Sequence, residues 1–410
     1  MKIAVIGAGF LGACTSLELS RRGYAVDLFD ENAEPITQAG FANEGKIHLG
    51  LVYANDPSRR TAETMLKGAL HFATYLERWI NASLDETWLS SPFYYGVHKD
   101  SLLDIENIRM HFDAVQHQYR ELIDETGLLY LNINSDGLFQ ELEGDQAKHG
   151  FDQQTVPYLF KTVEKSVNTT KIAERLRERI WQSNSINFHS NTQVESVKRL
   201  REGRLKLVFC KDNNGESVSY DHVVNAAWFG RLAIDQTLDL VPQRPWLYRF
   251  KNGVFVNAGK GSNIVPSVTL MLGSFGDLVN FQDGSYYASW YPACMVAASK
   301  EIKPEGWPFN LDAQEQEKMK NETLRDLSAM CPAASQLLDS SHDWELRGNA
   351  IFAWGEQDIH EPGSELHKRY DIGILSDHNY HSVDPGKYTM VPYYANQVVD
   401  RIEGRPEEES

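Results

Sequence analysis

The chain has 410 residues, too many for one simple core and enough for two or three packed domains. Its formal net charge of −17 sets the surface against phosphate backbones and anionic lipid, which argues against nucleic-acid and membrane partners. The four cysteines, Cys14, Cys210, Cys294 and Cys331, lack metal-ligand or disulfide spacing, as expected of reduced thiols in a cytoplasmic protein.

Residues 2–7 (KIAVIG) read as a short buried parallel strand, 10–22 as a helix ending in Arg21-Arg22-Gly23, and 25–30 (AVDLFD) as a second strand. Together they make one βαβ unit. The apolar run is too short to span a bilayer, and its glycines suit a turn better than a signal peptide. Residues 58–80 predict a long amphipathic helix capped by Ser58, 92–98 a strand, and 101–127 a helix. A helix over 167–182 with an Asn or Thr cap leads into two strands in 186–210, and HVVNAA (222–227) is a further apolar strand. From 245 to 300, short aromatic-rich strands broken by Gly and Asp suggest an antiparallel sheet. Residues 311–338 are helical, 370–375 a strand, and 389–402 a helix, with a loop between the last two.

This alternation predicts an α/β fold: a Rossmann-like nucleotide domain from 1–85, 160–240 and 345–410, interleaved with a largely antiparallel α+β substrate domain from 86–159 and 241–344. The nucleotide assignment rests on Gly7-Ala8-Gly9-Phe10-Leu11-Gly12, a G-x-G-x-x-G between strand and helix. Gly7 permits the turn, Gly9 lets a diphosphate touch the backbone, and Gly12 lets helix pack on strand. The phosphate then meets the positive end of the helix dipole, and Asp30, ending the second strand, is placed for ribose hydroxyls.

Later segments separate FAD from NAD. SINFHSNTQVESVKRL with YDHVVNAAWFG resembles the second half of the FAD domain in the D-amino-acid-oxidase superfamily of flavoenzymes. The resemblance implies that Thr192-Gln193-Val194 lies beside the adenine and that the strand ending in Ala226 and Ala227 returns to the diphosphate. Where the family usually has glycine, this chain has Trp228. Asn43-Glu44-Gly45-Lys46-Ile47-His48-Leu49-Gly50 is similar to the I-H-x-G segment of glycerol-3-phosphate and L-2-hydroxyglutarate dehydrogenases, which passes close to the flavin. Gly386-Lys387-Tyr388-Thr389 is similar to the G-K-x-T turn of the same branch, implying a helix N-terminus and a lysine at the flavin pyrimidine edge. Such a pair stabilises the negative charge of reduced flavin. These pieces cover about half the chain, and the resemblance implies non-covalent FAD, because residues 41–45 hold no histidine and no cysteine follows Cys331.

Flavin oxidation of an alcohol or amine places a hydride on N5 while a base or water takes the heteroatom proton. His48 is the first candidate base, with a scaffold role as its equal alternative. His378 and His381, in the cluster Asp377-His378-Asn379-Tyr380-His381, are expected on the pocket floor, with Tyr380 touching substrate. Arg249, Lys251 and Arg347, with Tyr286, Tyr287 and Tyr291, are expected to build a basic aromatic cavity in which an arginine grips a substrate carboxylate. The function that follows is an FAD-dependent oxidoreductase acting on a small polar molecule, a 2-hydroxy acid or other secondary alcohol. An amine or amino-acid oxidase is the close rival; structural FAD and an NAD-linked binding protein are more distant. Oxygen, a quinone and a carrier protein all stay open as electron acceptor.

Overall fold

The computed structural model describes residues 1–405 except 134, 136, 144–149, 260–264, 305–306, 308–310, 340–342, 360 and 362. The first unit forms as the apolar pattern requires: β1 (Lys2–Ile6), α1 (Phe10–Arg21) and β2 (Ala25–Phe29). In α2 (Arg60–Ile80) the capping differs from expectation. Asp56 shares the first-turn donors with Ser58: it accepts from Thr61 N at 3.0 Å and Thr61 Oγ1 at 2.7 Å, while Ser58 Oγ accepts from Arg60 N at 3.4 Å. A carboxylate is the stronger acceptor at the positive helix end. β3 (Phe93–Val97) is followed by α3 (Ile105–Thr126), β4 (Phe139–Leu142) and β5 (Tyr158–Thr162). Asn168 caps α4 (Thr169–Gln182), accepting from Lys171 N at 3.2 Å. Four short strands come next: β6 (Ile186–His189), β7 (Thr192–Arg199), β8 (Leu205–Lys211) and β9 (Asn214–Tyr220). β10 (His222–Asn225) and α5 (Arg231–Gln236) then lead into β11 (Trp246–Asn257). β12 (Ser267–Met271), β13 (Gly276–Asn280), β14 (Ser285–Trp290) and β15 (Met295–Ser299) precede α6 (Ala313–Met330). The chain continues with β16 (Asp343–Trp354), β17 (Gly373–Asp377), β18 (Tyr380–Asp384) and α7 (Val391–Ile402).

Two large sheets organise these strands. The first has the order β17-β18-β10-β1-β2-β6 and is parallel apart from β17, which pairs antiparallel with β18. The second runs β15-β11-β14-β13-β12-β3-β5-β4, with β16 along the other side of β11; only its β3–β12 pair is parallel. β7-β8-β9 form a small antiparallel sheet. The expected segment boundaries at 160 and 345 fall inside β5 and β16, both strands of the second sheet.

One core joins the first sheet to α1, α2 and α7 and reaches Phe93, Tyr95 and Phe112. A separate core lies between β11–β14 and α6. Each large side chain removed from water there contributes roughly 1.5–3 kcal/mol, against the conformational entropy lost on ordering. The shared core fixes the second sheet relative to the βαβ unit, and the candidate site lies along that junction.

Candidate active site

The glycine turn has one packed side and one open side. Gly7 takes φ 88°, and a Cβ there would meet Ala227 Cα at 2.8 Å. A Cβ on Gly12 would stand 1.8 Å from the Gly7 carbonyl oxygen. At Gly9 no atom lies within 4 Å of where a Cβ would point, and no side chain caps the start of α1. Asp30 accepts from Ala8 N at 2.6 Å and from Asn32 N at 2.9 Å, so its carboxylate closes the turn. Thr192 N donates to the Asp30 carbonyl at 2.8 Å, which seats the start of β7 beside the acid, two residues before Val194. Ala226 and Ala227 lie against Gly7, and Trp228 adopts φ 43°, the left-handed conformation that suits a glycine. Its indole N–H donates to the Ala350 carbonyl at 2.8 Å, a contact that glycine would lack. Leu11 is buried in the core, and Phe10 stacks on Tyr388 at 4.3 Å, already linking the front of the chain to its far end.

The two motifs separated by some 340 residues meet directly. His48 N donates to Thr389 Oγ1 at 2.9 Å, and the same hydroxyl donates to the Lys46 carbonyl at 3.2 Å. The 43–46 stretch is held by Asn43 Oδ1, which accepts from Gly45 N at 2.7 Å, and by Val167 N, which donates to the Gly45 carbonyl at 2.9 Å. Gly386 N donates to Asp384 Oδ1 at 3.0 Å, shaping the turn before α7. Lys387 is pushed down to about 7 by burial and then by the Arg369 charge. The His48 imidazole is held well below its ordinary range by burial, then by Lys387, Lys46 and Arg369, and is neutral at physiological pH. Its Nδ1 is buried without a hydrogen-bond partner.

Lys46, His48, Arg249, Lys251, Arg369 and Lys387 line one cavity, together with Glu44 and Asp277 and walls of Tyr53, Tyr287 and Tyr291. Lys46 pairs with Asp277 at 3.0 Å, hydrogen-bonds Thr269 and lies over the Phe93 ring. Arg249 is buried; it donates to Tyr291 Oη at 3.0 Å, faces Asp358 Oδ1 at 3.4 Å, and leaves Nε without a partner. Arg369 is lowered to about 10, chiefly by burial and then by Arg249. Five basic side chains thus accompany two carboxylates on the lining of a protein whose overall charge is strongly negative.

Five expected site residues lie elsewhere. The cluster 377–381 is the turn and first strand residues of the β17–β18 hairpin, not a pocket floor. His378 sits exposed at the turn with φ 52°. His381 is inside the first sheet, its Nδ1 3.0 Å from Ser376 Oγ and its Nε2 3.3 Å from His222 Nδ1. Tyr380 Oη donates to Asp235 Oδ1 at 2.7 Å and accepts from Asn225 Nδ2 at 2.8 Å, so it is spent on the sheet. Arg347 also falls outside the cavity lining: its guanidinium lies between the rings of Phe41 (3.8 Å) and Phe255 (4.1 Å) and is bonded to Glu345 and Thr170. Tyr286 is buried in the second core. Two residues that sequence reasoning missed belong to the site, Arg369 on the lining and Glu164 behind His48. HKRYD and TVEKS are charged stretches with the composition of solvated loops, so no local signal marked either one.

Over residues 2–365 the chain matches the DAO family, FAD dependent oxidoreductase, and it belongs to that family. It is similar to D-amino acid dehydrogenase of Sinorhizobium medicae (strain WSM419), 38% identical over 50 residues, which span 12% of each chain. That match covers about an eighth of the curated relative's length. Among solved structures it is similar to iminodiacetate oxidase from Chelativorans sp. BNC1 (17% identity, TM-score 0.65, 100% of this chain and 97% of the other). Glycine oxidase from Geobacillus kaustophilus superposes with TM-score 0.68 at 12% identity, over 100% and 96% of the two chains. At these identities the structural likeness establishes the fold. The family is one of FAD-dependent oxidoreductases, and the residues of this chain fit that cofactor: Gly9 leaves a cradle that any Cβ would fill, and His48 lines a cavity at the other end. Among the described residues, no helix is long and apolar enough to cross a membrane.

Proposed function

We propose that this enzyme takes two electrons from a small carboxylate-bearing substrate, oxidising the C–N bond of an amino acid or the C–O bond of a 2-hydroxy acid. Bound without a covalent link, FAD supplies the acceptor for the electron pair. The diphosphate would rest on Gly7, Gly9, Phe10, Leu11 and Gly12, with Asp30 and Val194 at the nucleoside and Ala226 and Ala227 beneath it. Asn43 to Lys46 and Gly386 to Thr389 would hold the ring. In this reading 1–85, 160–240 and the end of the chain hold the cofactor, while 86–159, 241–344 and the rest of β16 form the substrate side.

The observation that carries the proposal is the bond from His48 N to Thr389 Oγ1, which brings a neutral imidazole and Lys387 to one cavity. His48 accepts the proton that the hydroxyl or amine gives up. Arg249 grips the carboxylate; a buried guanidinium makes charge-assisted bonds stronger than it would in water. The cationic lining draws the anion in against the overall field. Tyr53, Tyr287 and Tyr291 limit the water around the reacting carbon.

The names of the relatives, a D-amino acid dehydrogenase, an iminodiacetate oxidase and a glycine oxidase, favour the C–N substrate. The I-H-x-G resemblance and the neutral base favour the hydroxy acid. Anaerobic mixing of the purified protein with panels of amino acids and 2-hydroxy acids decides between them: the class that bleaches the flavin is the substrate class. A flavin that stays oxidised against every carboxylate in both panels overturns the proposal.

A further inference from the structure

We infer that Glu164 is the charge partner of His48: a positioning residue that holds the ring with its proton on Nδ1 and leaves Nε2 free to act toward the cavity. The inference rests on the reading above, in which His48 is the proton acceptor.

Glu164 lies just beyond β5 and is fully buried. Its Oε2 accepts from Leu49 N at 2.7 Å, while Oε1 accepts from the Tyr95 hydroxyl and stands 3.8 Å from His48 Nδ1. Two donors therefore fix both oxygens as acceptors. A ring nitrogen facing them is favourable only as N–H, because a bare nitrogen would set lone pair against lone pair. That assignment also sets the buried Nδ1, which has no hydrogen bond, within ion-pair reach of a carboxylate.

The backbone geometry has the same sense. Glu164 holds the Leu49 amide and Thr389 holds the His48 amide, so two successive peptide N–H groups at the imidazole are pinned by separate segments of the chain. The ring itself lies edge-on to Tyr53 at 5.4 Å, which restricts its rotation.

Lys46 on the same segment, Lys387 on the turn before α7, and Arg369 all disfavour a proton on His48. Lys46 is partly offset by Asp277 from β13. Glu44 lines the same cavity, and Tyr53 and Tyr95 stand as neutral hydroxyls, since burial raises both. Glu164 is the carboxylate within ion-pair reach of the ring. When Nε2 takes the substrate's proton, the resulting imidazolium carries N–H on both nitrogens, and the Glu164 carboxylate offsets its charge until Nε2 releases the proton again. An isolated buried carboxylate is strongly unfavourable. Here it is balanced by Lys46 and two donors, and burial still pushes its own pKa up.

The test is long-range ¹H–¹⁵N NMR of [¹⁵N]histidine-labelled holoenzyme across pH, with His48→Gln assigning the signal. The expected wild-type result is a neutral ring protonated at Nδ1; a ring protonated at Nε2 overturns the inference with no second variant needed. In Glu164→Gln the ring should titrate about one pH unit lower or more, because a favourable charge is gone. Tyr95→Phe removes one donor and leaves the carboxylate, so the titration should move up; an unchanged or opposite shift in either folded variant contradicts the assignment. This readout needs no turnover. A protein that bleaches with substrate yet shows the wrong tautomer loses only Glu164, whereas one with the right tautomer and no substrate loses only the proposed reaction.

Discussion

Segment 46–49 and strand β18 each bury a histidine, and in both burial is the first cause of a depressed imidazole pKa. Their surroundings differ. The His381 ring is taken up by the sheet: Ser376 and His222 meet its two nitrogens, and the neighbouring Tyr380 and Ser382 both donate to Asp235. Around His48 two neighbouring backbone amides are held by Thr389 and Glu164, Nδ1 has no hydrogen bond, and the residue lines a cationic cavity. Polar groups satisfied within a sheet have been consumed by folding; a side chain on a cavity lining keeps its chemistry. The glycine turn repeats the contrast on a smaller scale, with Gly7 and Gly12 packed and Gly9 open.

Four substitutions would break or sharpen this contrast. The largest effect is expected of Gly9→Val. No atom lies within 4 Å of the new Cβ, so the fold should survive, while FAD affinity falls at least about 100-fold because the valine fills the phosphate cradle. The ratio of flavin to protein absorbance, set beside circular dichroism, measures both; a variant that stays yellow places the diphosphate elsewhere. His48→Gln should retain FAD and slow anaerobic flavin reduction by roughly 10²–10⁴-fold, the usual contribution of a positioned base. Unchanged stopped-flow rates would return His48 to a scaffold role.

Arg249→Met should weaken binding of a carboxylate substrate by roughly ten- to a hundred-fold, the worth of a charged hydrogen bond, with kcat changing less than KM. A KM unchanged from wild type would remove Arg249 from substrate binding. His381→Gln is expected to leave turnover untouched and alter only stability. The His381 imidazole falls from its ordinary 6.5 to about 4, chiefly by burial and then by His222. Between those values the unfolded chain binds the extra proton, so wild-type stability declines as pH falls from 6.5 toward 4, by roughly 3 kcal/mol at the lower end. The variant should show a shallower decline in denaturant titrations at pH 7, 5.5 and 4.5. An equal slope would mean that His381 is not buried as a neutral group.

The contrast also explains how much the sequence revealed. Gly7, Gly9, Gly12 and the flanking strands were legible because a backbone turn, a close approach and a period of apolar residues each leave a local mark. The I-H-x-G and G-K-x-T stretches were legible as motifs, and their contact through Thr389 is a tertiary fact that no local pattern contains. β18 was missed because YHSVD buries a histidine, a serine and an aspartate, which look solvated until Asp235, Ser376 and His222 are in place. Arg347 reads as a substrate ligand in the sequence because an arginine near a strand carries no mark of its partners; in the fold two aromatic faces and Glu345 engage it. Trp228 sits in a left-handed conformation because its indole is held by the Ala350 carbonyl of β16, a strand more than a hundred residues away.

The central claim is that the glycine turn after β1 and the turn before α7 hold one FAD, with its ring beside His48 and Lys387. A crystal structure of the purified yellow protein tests it most directly. The expected density places the diphosphate over Gly9 at the start of α1 and the isoalloxazine against Lys387. A flavin whose phosphates avoid Gly9, or whose ring lies away from His48, would contradict the account.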